Sequence, residues 1–364
     1  MRVRLGDYIK EYSVKNKNNE DIPVYSVSNS LGFCKDYFGK EVASKNKTTY
    51  KIVPRGCFAY NPSRINVGSV DWQNEEERVI VSPLYNVFSV SPLLDQQYLL
   101  YYLKSNVILS RIRAVASGSV RDNLKLSMLY EFPIDLISLD QQYDVVSTLN
   151  AVQKIIDLYQ KGLSYLDELV RARFVEMFGD NKYEELAVEK VCTSIVDCPH
   201  TTPKYNGDLR NPAIRTSEIK KGFITWDTMK YVSDEEYIER TARLKPQQGD
   251  IVYGREGTFG NAAILPKGYK FCLGQRVMLL RPNNEFCISQ YLLRALISDE
   301  VYNQALAKNN ASTVAHVNVK DVKNFMIPVP PLELQNQFAS FVQEIDKSRL
   351  LSNQSLFLLK SMIF

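Results

Sequence analysis

Few residues in this chain have types and spacings that suggest catalysis or metal binding. Cys192, Cys198 and His200 come nearest to a zinc site, because thiolates and imidazoles are the usual ligands of structural zinc. A fourth ligand at a suitable spacing is missing, so turn and core roles are favoured for these residues. His316 has no serine or cysteine partner in a nucleophile-elbow setting, and a role in a loop is favoured for it. The sequence therefore predicts neither a metal site nor an activated nucleophile.

Two other segments resemble parts of cofactor sites but lack the defining residues. The segment 254–260 is rich in glycine, yet it has neither the Lys-Ser/Thr of a phosphate loop nor the spacing of a dinucleotide fingerprint. The segment 61–64 (Asn-Pro-Ser-Arg) resembles the Asn-Pro-Pro-aromatic motif of amino-methyltransferases without its second proline and aromatic residue. A stand-alone methyltransferase or nuclease is thus an alternative that these residues disfavour.

Composition and charge are those of a folded chain with several domains. The 364 residues are 45% hydrophobic and 24% charged, which is enough for two or three domains with cores of their own. The formal net charge of +4 permits a DNA-binding face without requiring one. The beginning of the chain has no secretory leader pattern, and no apolar run approaches the roughly 18 residues of a membrane span. The six cysteines form no CxxC pair and are expected to be free thiols. We therefore expect a cytoplasmic protein that does not contact a membrane.

The sequence repeats itself at a separation of 193 residues. Gln142 corresponds to Gln335, and at the same separation Phe132 falls on Phe325 and Ile134 on Ile327. The match extends without gaps over roughly fifty positions, and it also joins the distant segments 56–60 and 249–253. The chain therefore consists of two copies of one unit, each a globular part followed by a helix.

Two long helices are predicted, one at the end of each copy. Between about 139 and 178, apolar residues recur at alternating steps of three and four, as in a coiled-coil seam. The second helix follows Pro330 and Pro331; its seam contains Arg349 and Ser352, and it is shorter than the first. Shorter helices are predicted over 95–110 and 289–307, and strands over 51–53 and 276–280.

These elements predict an α/β (α+β) fold with four segments. They are a first globular domain (1–136), a first long helix (137–180), a second globular domain (181–328) and a second long helix (329–364). The repeat predicts a pseudo-two-fold axis, with the two helices antiparallel as a coiled coil between the globular parts. Homodimers that read DNA match the two-fold symmetry of their site in this way, and a chain with two unlike halves suits an asymmetric site.

The order of variable region, helix, variable region and helix resembles the specificity (S) subunits of type I restriction-modification systems. The segment 325–335 (FMIPVPPLELQ) resembles the opening of their conserved helix. The segments 197–203, 212–217 and 249–258 resemble a common class of their target-recognition domains. The first copy departs from the pattern, because 132–138 lacks the double proline.

The resemblance implies a non-catalytic subunit that binds double-stranded DNA. Each domain would read one half of a split site, and the helices would set the spacing and recruit two methyltransferase (M) subunits, which restriction (R) subunits then join. The partners would carry S-adenosylmethionine, ATP and Mg, and this chain would hold no cofactor. The same architecture in a type IIB-like or related methyltransferase system is an alternative.

Residues that could contact DNA lie in turn-rich segments at strand ends, where binding groups are common. Arg255 and the region of Arg64 are the first choices, because arginine can bind guanine through two hydrogen bonds. The candidates in the first half are Ser26, Ser28, Asn29, Tyr60, Asn61, Ser63, Arg64 and Asn66. Those in the second half are Thr201, Thr202, Lys204, Tyr205, Arg215, Thr216, Ser217, Arg255, Glu256, Thr258, Phe259 and Arg276. The alternative for each is a turn or cap of purely structural value.

Overall fold

A computed structural model describes residues 1–35, 46–116, 123–179, 183–206, 209–257, 260–308 and 316–363. Contacts divide the chain into two compact units. Unit 1 comprises Met1–Lys161 and Ser352–Phe364, and unit 2 comprises Gly162–Leu351. Each unit thus includes parts of both long helices, whereas the four-segment division stays a prediction.

Unit 1 is built on a small antiparallel sheet covered by helices. Its strands are β1 (Arg2–Arg4), β2 (Ile9–Glu11), β3 (Ser26–Ser28), β4 (Gly32–Cys34), β5 (Lys51–Pro54), β6 (Phe58–Tyr60), β7 (Val70–Trp72), β8 (Arg78–Val81), β9 (Asn86–Val90) and β10 (Pro133–Asp135). Its helices are α1 (Gln96–Lys104), α2 (Asn106–Ala116), α3 (Leu126–Leu129) and the first part of α4 (Leu139–Phe178). The central sheet has the order β2-β9-β6-β7, and β1 pairs with β10, β3 with β4 and β5 with β8.

Unit 2 repeats this plan with a further sheet. Its strands are β11 (Glu185–Ala187), β12 (Cys192–Asp197), β13 (Tyr205–Asn206), β14 (Asn211–Ile214), β15 (Lys230–Val232), β16 (Ile251–Gly254), β17 (Ala262–Ile264), β18 (Cys272–Leu273), β19 (Val277–Pro282) and β20 (Met326–Pro328). Its helices are α5 (Asp234–Arg240), α6 (Ser289–Leu296), α7 (Asp299–Lys308), α8 (Val319–Lys323) and most of α9 (Leu332–Ile363). The central sheet has the order β12-β19-β16-β17, the further sheet has the order β13-β15-β14-β18, and β11 pairs with β20.

The duplication predicted from sequence is confirmed within the units. The central sheet of unit 2 has the strand order of its counterpart in unit 1, and β1–β10 and β11–β20 are equivalent antiparallel pairs. Helices α4 and α9 begin at Leu139 and Leu332, which are 193 residues apart. The largest hydrophobic core of each unit lies mostly between its central sheet and its helices. It surrounds Phe58 and Phe88 in unit 1 and Tyr253 and Tyr291 in unit 2.

A buried glutamine fixes the start of each long helix to the globular part before it. Gln142 Oε1 accepts a hydrogen bond from the N–H of Asp95 (2.8 Å), and its Nε2 donates to the carbonyls of Leu93 and Ile137 (3.0 and 2.9 Å). The corresponding Gln335 makes the same three bonds, to the residues that the repeat predicts: Ile288, Phe286 and Pro330. Both glutamines are fully buried, and every polar atom of their amides has a partner.

The predicted seam of α4 is confirmed by burial. Val152, Ile156 and Val170 of this seam are buried. Its other apolar residues are half-buried, namely Leu149, Tyr159, Leu163, Leu166 and Met177. Within unit 2, α4 packs antiparallel to α9, because the ring of Phe178 lies 5.7 Å from that of Phe338 while Arg349 pairs with Asp167. Arg349 also pairs with Asp346, so the charged residue in the seam has carboxylate partners.

The two shorter helices predicted from sequence are each divided in the structure. The predicted helix 95–110 is α1 followed by α2, and 289–307 is α6 followed by α7. Ser105 has extended backbone (ψ 147°), and its Oγ accepts a hydrogen bond from the N–H of Ile108 (3.4 Å). Ser298 caps α7 in the same way through the N–H of Val301 (3.3 Å). Among the described residues, no helix is both long and apolar enough to cross a membrane.

Candidate nucleic-acid interface

Several loops of unit 2 meet at one end of its central sheet. Strand β12 ends at Asp197, β16 ends at Gly254 and β19 begins at Val277. The antiparallel register places Asp197 opposite Met278 and Gly254 opposite Val277. The loops after β12 and β16 and the connection before β19 therefore converge, together with the residues around His316, whose backbone pairs with that of Glu256.

Arg255, a first choice for DNA contact in the sequence analysis, is buried at this end of the sheet and pairs with a carboxylate. Its side chain is only 7% exposed, and its Nη2 lies 2.9 Å from Oδ1 of Asp197. A buried guanidinium needs such a partner, because a lone charge in the interior is strongly destabilising. The carbonyl of Arg255 also accepts a hydrogen bond from the N–H of Val317 (3.0 Å). We therefore leave Arg255 out of the DNA-binding set proposed below.

The neighbouring Glu256 links two residues at the surface. Its Oε2 lies 2.9 Å from Nε of Arg276, and its Oε1 lies 3.3 Å from Nδ1 of His316. The other ring nitrogen of His316 lies 3.1 Å from Oδ1 of Asn318. The side chain of Arg276 is 61% exposed, so solvent reaches much of it. Sequence reasoning selected Glu256 and Arg276 but not His316.

Arg240 and Gln275, which sequence reasoning missed, hold two of the loops together. The buried guanidinium of Arg240 donates to the carbonyls of Thr201 (3.3 Å), Leu273 (2.8 Å) and Gly274 (3.2 Å). Gln275 Nε2 donates to Oγ1 of Thr202 (2.9 Å). Thr201 and Thr202 are therefore next to the segment that carries Arg276. Gln275 could have been found from its place beside Arg276 before a strand, whereas the sequence of α5 gives no sign that Arg240 is buried.

Basic side chains surround Tyr205 on the further sheet. The ring centroid of Tyr205 lies 4.6 Å from Nζ of Lys230 and 5.9 Å from Cζ of Arg215. Lys204 and Lys230 are exposed, and Lys230 was not selected from the sequence. Arg215 faces inward and pairs with the buried Glu218 (2.6 Å), which leaves it little freedom to contact a ligand.

The carboxylate of Glu218 organises this part of the unit. Burial alone would raise its pKa, but hydrogen bonds from Arg215, Ser217 and Thr228 outweigh burial and hold the pKa below its usual value. Ser217 Oγ donates to this carboxylate (2.7 Å), so its hydroxyl is also engaged. Thr216 is half-buried. Thr258 and Phe259 lie outside the described residues.

The equivalent end of the sheet in unit 1 carries other side chains. Ser63 Oγ donates to Oδ1 of Asn123 (2.7 Å), and the carbonyl of Asn66 accepts a hydrogen bond from Nε of Arg113 (3.2 Å). Arg64 is exposed, and within the described residues its guanidinium has no hydrogen bond or ion pair. Asn61 Oδ1 accepts a hydrogen bond from the N–H of Ser63 (3.1 Å), as in a turn.

The remaining predicted residues of unit 1 lie apart from this loop or inside the core. Tyr60 is fully buried, and its hydroxyl donates to the carbonyl of Leu124 (3.0 Å). Ser28 is buried, and its Oγ accepts a hydrogen bond from the N–H of Leu31 (2.9 Å). Ser26 is half-buried in β3, and Asn29 is exposed in the turn after it. We leave Tyr60 and Ser28 out of the proposed set, because neither side chain reaches the surface.

The chemistry of the described cysteines does not favour catalysis. Burial raises the pKa of Cys192, Cys272 and Cys287 to about 12, so these thiols stay protonated near neutral pH. All six cysteines are free, as the sequence predicted. Within the described ranges, no group of three or more His, Cys, Asp or Glu residues could hold a metal ion.

Comparison with known proteins identifies the family. The model of the type I restriction modification DNA specificity domain matches this chain twice, over residues 4–166 and 207–359. These matches cover most of the chain, so it belongs to this family, as the resemblance in sequence indicated.

Two of the curated relatives come from Methanocaldococcus jannaschii. The putative type I restriction enzyme MjaX specificity subunit is 32% identical over 152 residues, which are 40% of this chain and 35% of the relative. The type I restriction enzyme MjaIX specificity subunit is 20% identical over 289 residues, which are 72% of this chain and 65% of the relative. The chain therefore spans between a third and two thirds of the length of these relatives.

Solved structures agree with the fold. A chain from a study of complex assembly and conformational transition in a type I R-M system has a TM-score of 0.62 and 18% identity. That match covers 100% of this chain and 95% of the other. The type I restriction-modification S subunit from M. genitalium has a TM-score of 0.50 and 14% identity, with coverage of 100% and 93%.

Proposed function

We propose that this chain is the DNA sequence-recognition subunit of a type I restriction-modification complex. In this proposal, each unit reads one half of a bipartite, asymmetric site in double-stranded DNA. Membership of the specificity family supports DNA recognition, and the two matches of the family model agree with one DNA-recognition domain in each unit. The chain itself would carry out no catalysis.

One observation carries the proposal of two unlike half-sites. Glu256 and His316 of unit 2 correspond to Ser63 and Asn123 of unit 1 at the separation of 193 residues, and in both units the two residues are in contact. The backbone beside them is also equivalent, because Leu124 N–H donates to Pro62 (3.1 Å) just as Val317 N–H donates to Arg255 (3.0 Å). The two copies therefore share the backbone arrangement and differ in these side chains, as the reading of two different DNA sequences requires.

The proposed contacts divide into phosphate and base contacts. Exposed lysines such as Lys204 and Lys230 suit the phosphate backbone, which fixes position without reading sequence. Arginine, glutamine and asparagine can form paired hydrogen bonds with base edges in the major groove. The proposed set is Ser26, Asn29, Asn61, Ser63, Arg64, Asn66, Thr201, Thr202, Lys204, Tyr205, Thr216, Lys230, Glu256, Gln275, Arg276 and His316, with Thr258 and Phe259 kept as predictions.

The long helices are the proposed docking surface for two methyltransferase subunits, with restriction subunits joining that complex. Besides its buried seam, α4 exposes large apolar side chains, among them Leu158 and Tyr165. The end of α9 exposes Leu351, Phe357 and Leu358. Apolar side chains grouped on a surface are typical of protein interfaces. The partners would bring S-adenosylmethionine, ATP and Mg, and such a complex would work in the cytoplasm.

Selection from randomised DNA duplexes by the full chain tests the proposal. We expect enrichment of one sequence in two parts, with a fixed gap between the parts and no palindrome. Labelled S-adenosylmethionine should not be retained by the chain alone. Enrichment of a single continuous sequence, or of none, contradicts the proposal, and retention of S-adenosylmethionine by the purified chain favours a stand-alone enzyme instead.

A further inference from the structure

We propose that Arg276 reads a guanine in the half-site of unit 2 and that Glu256 and His316 are its positioning residues. This inference rests on the proposed function and deepens it, because it names one base of the site and the residue that selects it.

The backbone of Arg276 is unusual for a residue with a side chain. Its φ is +64°, in the left-handed region that residues other than glycine and asparagine seldom adopt. Strand pairing stabilises this conformation. The carbonyl of Arg276 accepts a hydrogen bond from the N–H of Arg255 (2.9 Å), and the following residue, Val277, pairs with Gly254. Uncommon backbone of this kind is concentrated at functional sites, where it directs a side chain.

The contacts of the guanidinium leave one edge available. Nε of Arg276 lies 2.9 Å from Oε2 of Glu256, while Nη1 and Nη2 donate no hydrogen bond to the described residues. These two terminal nitrogens form the planar fork that matches O6 and N7 of guanine in the major groove. The side chain is 61% exposed, so a base edge can reach the fork.

Glu256 fixes the direction of the fork and favours a base over a phosphate. The second oxygen of its carboxylate lies 3.3 Å from His316, and His316 is held in turn by Asn318 (3.1 Å). A carboxylate beside the arginine repels a phosphate group, whereas the edge of guanine is neutral and presents only acceptors to the fork. Arg276 is therefore better suited to reading sequence than the exposed Lys204, which has no acidic partner among the described residues.

Duplex selection with Arg276→Ala and Arg276→Lys tests the proposal. We expect the wild-type chain to require guanine at one position of one half-site. Arg276→Ala should lower that preference by roughly 10- to 100-fold and leave the other positions unchanged, as the loss of one paired contact implies. Arg276→Lys should retain affinity but still lose most of the preference, because an ammonium group cannot form the fork.

Arg171→Ala is the matched control, because Arg171 is also an exposed arginine (65%) paired with a carboxylate, that of Asp299. It should leave the preference for each base unchanged. Glu256→Gln should weaken the guanine preference at the same position alone, which a merely structural role would not do. The inference is overturned if Arg276→Ala alters no position or all positions equally, or if neither half-site contains guanine. Failure of the proposed function is distinct, since the wild-type chain would then select no sequence in two parts.

Discussion

At the scale of residues, two neighbours after β16 have different environments. Arg255 is buried against Asp197, while Glu256 is half-buried between the more exposed Arg276 and His316. Both are charged residues of a glycine-rich loop, and the sequence offers no means of telling them apart. The difference arises because β12 brings Asp197 to one of them, and this pairing depends on the fold.

Arg255→Met should lower the stability of the chain without changing which bases it selects. The substitution keeps the volume of the side chain but leaves Asp197 without its main partner, and we expect the free energy of unfolding to fall by about 3 kcal/mol. Urea unfolding followed by tryptophan fluorescence measures this change. Arg243→Met, at an exposed arginine without a partner among the described residues, should cost no more than about 0.5 kcal/mol. A stable Arg255→Met chain with altered base preference would show that Arg255 contacts DNA after all.

At the scale of elements, the position of each long helix depends on hydrogen bonds that the spacing of its apolar residues does not predict. The seam of α4 follows from the spacing of its apolar residues, and burial confirms it. The position of the helix against the globular part depends on one glutamine, Gln142, and on Gln335 for α9. In both copies, that residue satisfies a backbone N–H and two carbonyls that would otherwise be buried without partners.

Gln335→Leu should therefore destabilise unit 2. It leaves the N–H of Ile288 and two backbone carbonyls unpaired, and we expect a loss on the order of 3 kcal/mol. Gln337→Leu is the control, because Gln337 is exposed on the same helix and should change stability by about 0.5 kcal/mol or less. Urea unfolding of both variants gives the comparison. Equal losses would mean that the buried bonds of Gln335 contribute little.

Much of the fold could be predicted from the sequence because the repeat and the seam are local or periodic signals. The breaks at Ser105 and Ser298 were missed, because a serine within an apolar helical pattern does not by itself indicate a new helix start. The prediction for the site was less complete. Arg276 and Glu256 were selected, whereas Arg240 was missed because its burial depends on the distant Gly274 and Thr201.

At the scale of the whole molecule, the duplication agrees with the proposed reading of an asymmetric site by one chain. The two units share strand order, helix starts and the glutamine bonds, and they differ in the residues at the end of the central sheet. The approximate two-fold axis between them stays a prediction. If each unit reads its half-site independently, the globular part of one unit should be able to replace that of the other, provided that the junctions lie at equivalent residues.

The most direct test of this account is a hybrid chain. It keeps residues 1–138 in place and carries a second copy of them instead of residues 184–331. The junction keeps Gln335, which can then bond to the second copy of the segment that Gln142 normally binds. Thermal unfolding and duplex selection should be measured beside the wild-type chain. We predict that the folded hybrid selects the first half-site twice, as an inverted repeat. A folded hybrid that still selects the wild-type asymmetric site, or selects a direct repeat, would contradict the account.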